Sequence, residues 1–186
     1  LRGRAEGGES RGWAMTTVTA TIPAATTNDR WQDVLSGSAR WAVVQGDCLD
    51  VLRDMPDGCV DAVVTDPPYN VGLKYEGDDA NDSRRDYEDW SSLWFKEATR
   101  VAKTVAFTPG TPNVRFWLNL REPDLWICNY RPNGRGYSKA GFCHWEPMLV
   151  YGPVQGKRST DVIRAPIIHE PTAEPHPCPK PLEWAR

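Results

Sequence analysis

Apolar positions along the chain fall into short runs of two kinds, some clustered between turn signals and others recurring every three to four residues. Val60, Ala62, Val63 and Val64 belong to the first kind, bounded by Asp57-Gly58 upstream and Pro67-Pro68 downstream. They predict a buried parallel strand that must stop where Asp66 emerges, because neither proline can donate to a ladder. Trp41 to Gln45 predicts a shorter strand closed by Gly46-Asp47. Leu49, Val51, Leu52 and Met55 recur at helical spacing and predict a helix over Cys48–Met55, ended by Pro56-Asp57-Gly58. A second helix starts at Glu88 or Asp89 and runs to about Ala102, with Leu93, Trp94, Ala98 and Val101 on one face. Thr104 to Thr108 predicts a strand, and Thr111-Pro112 opens a helix through about Leu120. Asp124 to Tyr130 and Glu146 to Tyr151 predict two strands around a glycine-rich loop. Strands alternating with helices imply an α/β fold with a parallel sheet, the last strand pair forming an antiparallel hairpin. Residues 75–89 are polar and acid-rich and read as a mobile loop, and residues 165–181 are proline-rich and irregular.

Composition adds limits more than direction. The 186 residues suit one domain, and with 40% hydrophobic and 25% charged residues the chain reads as a soluble globular protein, its unpaired cysteines pointing to the cytoplasm. No apolar run approaches the roughly 18 residues needed to span a bilayer. The net charge of -3 does not by itself advertise a nucleic-acid binder. Five cysteines, none in a C-x-x-C pair, read as reduced thiols, and no metal-ligand spacing is present. Residues 1–38 read as a disordered leader and residues 39–186 as the folded unit. The last residues stop within what reads as the start of a helix, so the sequence reads as truncated.

The turn after the opening strand, "TDPPYN", carries the candidate chemistry. A bare D-P-P turn ending in a surface acid is commonplace. Here, however, a buried strand presents it at the carboxyl edge of a sheet, where open α/β folds bind ligands. The prolines leave carbonyls with no neighbouring N–H to compete, so a rigid acceptor forms beside the Asp66 carboxylate. That arrangement suits an amino group with two hydrogens to donate, its planar ring stacked on Tyr69. Asp47 reads as an N-cap for the helix at Cys48, and His176 and Lys180 as loop residues. Arg131, Arg135 and Lys139, in a glycine-containing stretch with interleaved Tyr130, Tyr137 and Trp145, fit either a phosphate-contacting loop or a solvated hairpin.

"GDCLDVLRDMPDGCVDAVVTDPPYN" and "HPCPKPLEW", with "WEPMLVYG" between them, resemble the DNA amino-methyltransferases over roughly residues 41–184. In this order they are similar to the circularly permuted β class of that family. The resemblance implies a Rossmann-like three-layer α/β sheet, incomplete here, in residues 39–186. It implies methyl transfer from S-adenosylmethionine to N6 of an adenine flipped out of double-stranded DNA, as in restriction-modification. Asp66, Pro67, Pro68 and Tyr69 would carry the chemistry, and Asp47, Cys48, Asp66, His176 and Lys180 would line the cofactor site. Asp rather than Ser at position 66 favours adenine over N4 of cytosine. The family's F-x-G-x-G loop would follow the H-P-x-x-K-P-L segment, and the sequence stops before it. An inactive fragment, or one half of a split enzyme whose loop comes from a second chain, is therefore the competing expectation. Methylation of an amino group on RNA or protein is a third, for which N-P-P-Y is the more expected motif.

Overall fold

The computed structural model describes residues 30–74, 82–134, 136–138, 141–154 and 160–166. A single helical turn, α1 (Trp31–Leu35), opens the described chain inside the segment expected to be a disordered leader. Helix α2 (Cys48–Asp54) follows, started by Asp47, whose carboxylate accepts the Leu49 N–H at 2.8 Å. Strand β1 (Val60–Thr65) leads through the D-P-P-Y turn to α3 (Tyr87–Val101), which passes without a loop into β2 (Ala102–Phe107). A 3-10 turn (Thr111–Asn113) opens α4 (Val114–Leu120). The chain then forms β3 (Leu125–Tyr130), the short β4 (Gly136–Ser138) and β5 (Gly141–Cys143), the long β6 (Trp145–Tyr151) and β7 (Val162–Arg164).

Five strands form one sheet in the order β1-β2-β6-β3-β7, and β4 pairs with β5 in a separate ribbon. β1 and β2 are parallel with Thr65 opposite Phe107. β6 is antiparallel to both β2 and β3, and β7 is parallel to β3. The sheet is therefore mixed α/β. The expected antiparallel pair is the β3/β6 ladder, and β6 inserts between β2 and β3.

The core is aromatic. α3 buries Tyr87, Ser91, Trp94, Phe95, Ala98 and Val101. Trp94 and Phe95 meet Phe107 of β2, Trp117 of α4 and Tyr151 of β6, with Phe107–Trp117 centroids 4.5 Å apart and Phe95–Tyr151 centroids 4.7 Å apart. Arg100 of α3 ties this layer to α2, donating to the Leu52 and Met55 carbonyls at 2.7 and 2.8 Å while paired with Asp57 and Glu97. It thereby satisfies carbonyls that the end of α2 would leave bare.

Three expectations are corrected. Residues 41–45 form no strand: they lie without regular structure and without a ladder partner among the described residues, Trp41 being 76% and Val43 75% exposed. β1 is an edge strand rather than a buried one, pairing with β2 alone among the described residues, and Val64 is 53% exposed. α3 starts after Asp86, with no side-chain cap, and presents Phe95 to the core where Leu93 was expected. Leu93 sits one position off the face that meets the sheet and is 46% exposed. β7 was not foreseen, because a three-residue edge strand has no periodicity to read. Among the described residues no helix is long and apolar enough to cross a membrane.

Candidate active site

Parallel pairing of β1 with β2 decides what surrounds Asp66. Thr65 lies opposite Phe107, so the next residues, Asp66 and Thr108, leave the sheet side by side. The fully buried Thr108 hydroxyl donates to Asp66 Oδ1. Tyr69, one turn further on, folds back so that its hydroxyl donates to the same Oδ1 at 2.7 Å and lies 2.8 Å from Thr108 Oγ1. Glu146 Oε2, on β6, is 3.5 Å from that hydroxyl. Burial holds the Tyr69 phenol well above its ordinary pKa, and the Glu146 and Asp66 carboxylates add to the effect. Tyr69 is thus a neutral O–H at any physiological pH.

The tyrosine ring is seated as firmly as its hydroxyl. Gly110, in the left-handed region at φ +67, lies directly under it; a Cβ there would stand 2.6–2.9 Å from Cγ, Cδ1 and Cδ2. Asn113 Nδ2 donates to the Tyr69 carbonyl at 2.7 Å and to the Pro109 carbonyl at 3.2 Å. One face of the ring is therefore covered by backbone.

Behind the cluster, Glu146 is 5% exposed and directly opposite Asn129 across the β3/β6 ladder. Asn129 Nδ2 donates to Glu146 Oε1 at 3.3 Å, and Arg131 NH2 pairs with Oε2 at 2.9 Å. A buried carboxylate needs such partners, so this pairing keeps Glu146 compatible with its position.

On its other side Asp66 lines a cavity of about 470 Å³ between α2, β1 and α3, with Cys48, Val63, Pro67, Trp90 and Trp94 among its walls. That size is ordinary for a small-molecule site. Apolar walls with a carboxylate among them suit a planar ring joined to a cationic centre. Burial, then the neighbouring Asp47, raise the Cys48 thiol's pKa.

The expected site residues thus meet different fates. Asp66, Pro67, Pro68 and Cys48 line the cavity, and Tyr69, not among its walls, bonds Asp66 in the hydroxyl cluster. Asp47 caps α2 and is not among the cavity walls. Arg131 turns inward to Glu146, its side chain 22% exposed. Arg135, Lys139, His176 and Lys180 lie outside the described residues. Thr108, Gly110, Asn113, Asn129 and Glu146 were not singled out in the sequence. Thr108-Pro109-Gly110 closing a strand resembles the turn at Asp66-Pro67-Pro68, and that parallel was the available signal. Among the described residues no group of His, Cys, Asp and Glu is placed to hold a metal ion.

Residues 60–122 match the family model described as DNA methylase. Type II methyltransferase M.HpaI of Haemophilus parainfluenzae is 29% identical over 135 residues, covering 67% of this chain and 43% of that protein. Type II methyltransferase M.BamHI of Bacillus amyloliquefaciens is 41% identical over 59 residues, 31% of this chain and 14% of that protein. Among solved structures, PvuII DNA methyltransferase (cytosine-N4-specific) superposes over 71% of this chain and 59% of that chain, with a TM-score of 0.46 and 12% identity. The chain spans less than half the length of these two curated relatives.

Proposed function

Taking this chain as a member of the DNA methylase family through residues 60–122, we propose that it performs the base-handling half of methyl transfer to an exocyclic amino group in double-stranded DNA. The observation that carries the reading is the shared position of Asp66. One carboxylate lines the apolar cavity and also bonds the Tyr69–Thr108 cluster, so it stands between the site for a methyl donor and the site for an acceptor.

S-adenosylmethionine, when bound, supplies an electrophilic methyl group on a sulfonium, and Asp66, Pro67, Pro68 and Cys48 are the described residues that would hold it. A stacked base cannot present its amino nitrogen, so it must be flipped out of the duplex. The face of Tyr69 away from Gly110 is the surface on which the flipped ring would stack. Asp66 and the Pro67 carbonyl accept the two amino hydrogens, drawing the nitrogen lone pair out of conjugation. With a donor bound, Asp66 would take along its hydrogen bond the proton that the amino nitrogen gives up as the new N–C bond replaces the donor's C–S bond. Positioning and electrostatics supply most of the acceleration, because the leaving group is already good. Asp66 favours N6 of adenine, with N4 of cytosine as the alternative. Arg131, Arg135 and Lys139 remain candidates for phosphate contact, Arg131 the weakest of them because Glu146 already engages it. Asp47, His176 and Lys180 remain candidates beside the donor. The setting we propose is a cytoplasmic restriction-modification pair.

A second reading is favoured by one observation. Among the described residues β1 pairs on one side only, and Val64 on its flank is half exposed. A second polypeptide that adds a strand there would make this chain one half of a split enzyme. Both readings meet in one experiment, in which labelled S-adenosylmethionine and duplex DNA are offered to the chain and to Asp66→Ala. Losing the charge-assisted acceptor should slow transfer by roughly 10²–10³-fold, and because the same carboxylate lines the donor cavity, donor binding should weaken as well. Transfer at the parent rate by Asp66→Ala would remove Asp66 from the chemistry. No donor binding by calorimetry until a second chain is added would select the split reading, and the labelled base decides between adenine and cytosine.

A further inference from the structure

Every backbone N–H from Tyr69 to Leu73 ends on a single residue thirteen positions downstream of the tyrosine. Tyr69 and Asn70 donate to Asp82 Oδ1, both at 2.8 Å, while Val71 and Leu73 donate to Oδ2 at 3.2 and 2.7 Å. Gly72 donates to the Asp82 carbonyl at 2.8 Å. Asp82 is 1% exposed. The loop can converge this way because Asn70 and Gly72 take left-handed backbone, φ 58 and 74, which curls successive amides toward one anion. Asn70 returns the bond by accepting the Arg84 N–H on Oδ1 at 2.6 Å. The motif loop and the approach to α3 are thus tied through one buried carboxylate.

We propose that Asp82 is a positioning residue for Tyr69: by gathering the amides of residues 69–73 it fixes where the tyrosine backbone starts, and so where the ring stands beside Asp66. Asn113 fixes the Tyr69 carbonyl and Gly110 the ring face, while Asp82 holds the N–H side of the tyrosine and the amides that follow it. Its catalytic consequence rests on the transferase reading above; the anchoring itself does not.

The isosteric variant is the informative one. Each carboxylate oxygen accepts two N–H groups, so Asp82→Asn must turn its NH2 toward two backbone donors, whichever way the amide is placed. Asp82→Asn and Asp82→Ala should therefore resemble each other. In the parent chain, hydrogen exchange should protect the amides of residues 69–73 as well as those of β2. Both variants should speed exchange at 69–73 by about ten-fold or more, with β2 unchanged. Methyl transfer, measured well below the melting temperature, should fall by roughly 10²-fold with S-adenosylmethionine affinity within about two-fold of the parent. A purely structural role would instead lower the melting temperature and leave turnover per folded molecule intact, which would overturn the proposal. Unchanged exchange at 69–73 in Asp82→Asn would overturn it as well. If the parent transfers no methyl group by itself, the exchange pattern alone decides whether Asp82 holds the loop.

Discussion

Gly110 and Tyr69 form the contact on which the site's geometry most depends. The glycine is required twice, once for its left-handed backbone and once because a Cβ would enter the ring at 2.6 Å. Gly110→Ala should lower stability by about 1–3 kcal/mol, and it should displace the ring from Asp66. Thermal melts measure the first effect. Loss of methyl transfer at temperatures where the variant remains folded measures the second, and a variant active at the parent rate would show that the ring position is not critical. In the sequence, Asp66 and Tyr69 were legible because acid, prolines and aromatic are adjacent. Thr108, Glu146 and Asp82 were not, since each reaches the site only through pairing or folding back across many residues. Asp82 fell inside a segment whose polarity predicted a mobile loop, yet a carboxylate can be buried where backbone amides replace its water.

α3 is the element on which the fold turns. Trp94 and Phe95 of its buried face meet the rings of Phe107, Trp117 and Tyr151 between helices and sheet, and Trp94 is 4% exposed. Trp94→Ala should cost about 3–5 kcal/mol, whereas Leu93→Ala, one residue away, should stay within about 0.5 kcal/mol. Denaturant titration of the two variants tests which face meets the sheet, and equal losses would contradict the helix's placement. Helical spacing announced α2 and α3 well, because burial on one side leaves a period in the sequence, and the Thr111-Pro112 start announced α4. On α3 the spacing placed Trp94, Ala98 and Val101 on the buried face and erred at the edge of the stripe, taking Leu93 where Phe95 is buried, since the neighbours that set that edge lie on β2 and β6. The strand expected over residues 41–45 failed for the complementary reason: a strand is stable only with a ladder partner, and that run has none among the described residues.

At the scale of the whole molecule, buried phenols make stability sensitive to alkali. Burial raises Tyr69, Tyr87 and Tyr151, the last from 10.0 to about 12. A phenol whose pKa is higher folded than unfolded stabilises the fold fully below the unfolded value. That contribution is lost as pH rises through the folded one. The melting temperature should therefore hold between about pH 7 and 9 and fall between pH 10 and 12. Tyr151→Phe should shed part of that alkaline loss, at the cost of the hydroxyl's bond to the Arg121 carbonyl. A melting temperature independent of pH across the whole range would mean the phenols are not buried as described.

From the chain of amino acids alone came the elements with strong local patterns, the α/β class, and the Asp-Pro-Pro-Tyr turn at a strand's carboxyl end. Each is a matter of adjacency or short period, which sequence order preserves. Only the tertiary structure decided that β6 enters between β2 and β3, which brings Glu146 against the Tyr69 hydroxyl. It alone placed Thr108 beside Asp66 through parallel register, turned Arg131 inward, and gathered five amides onto Asp82. Those outcomes depend on which distant segments exclude water from one another, and no local pattern encodes that choice.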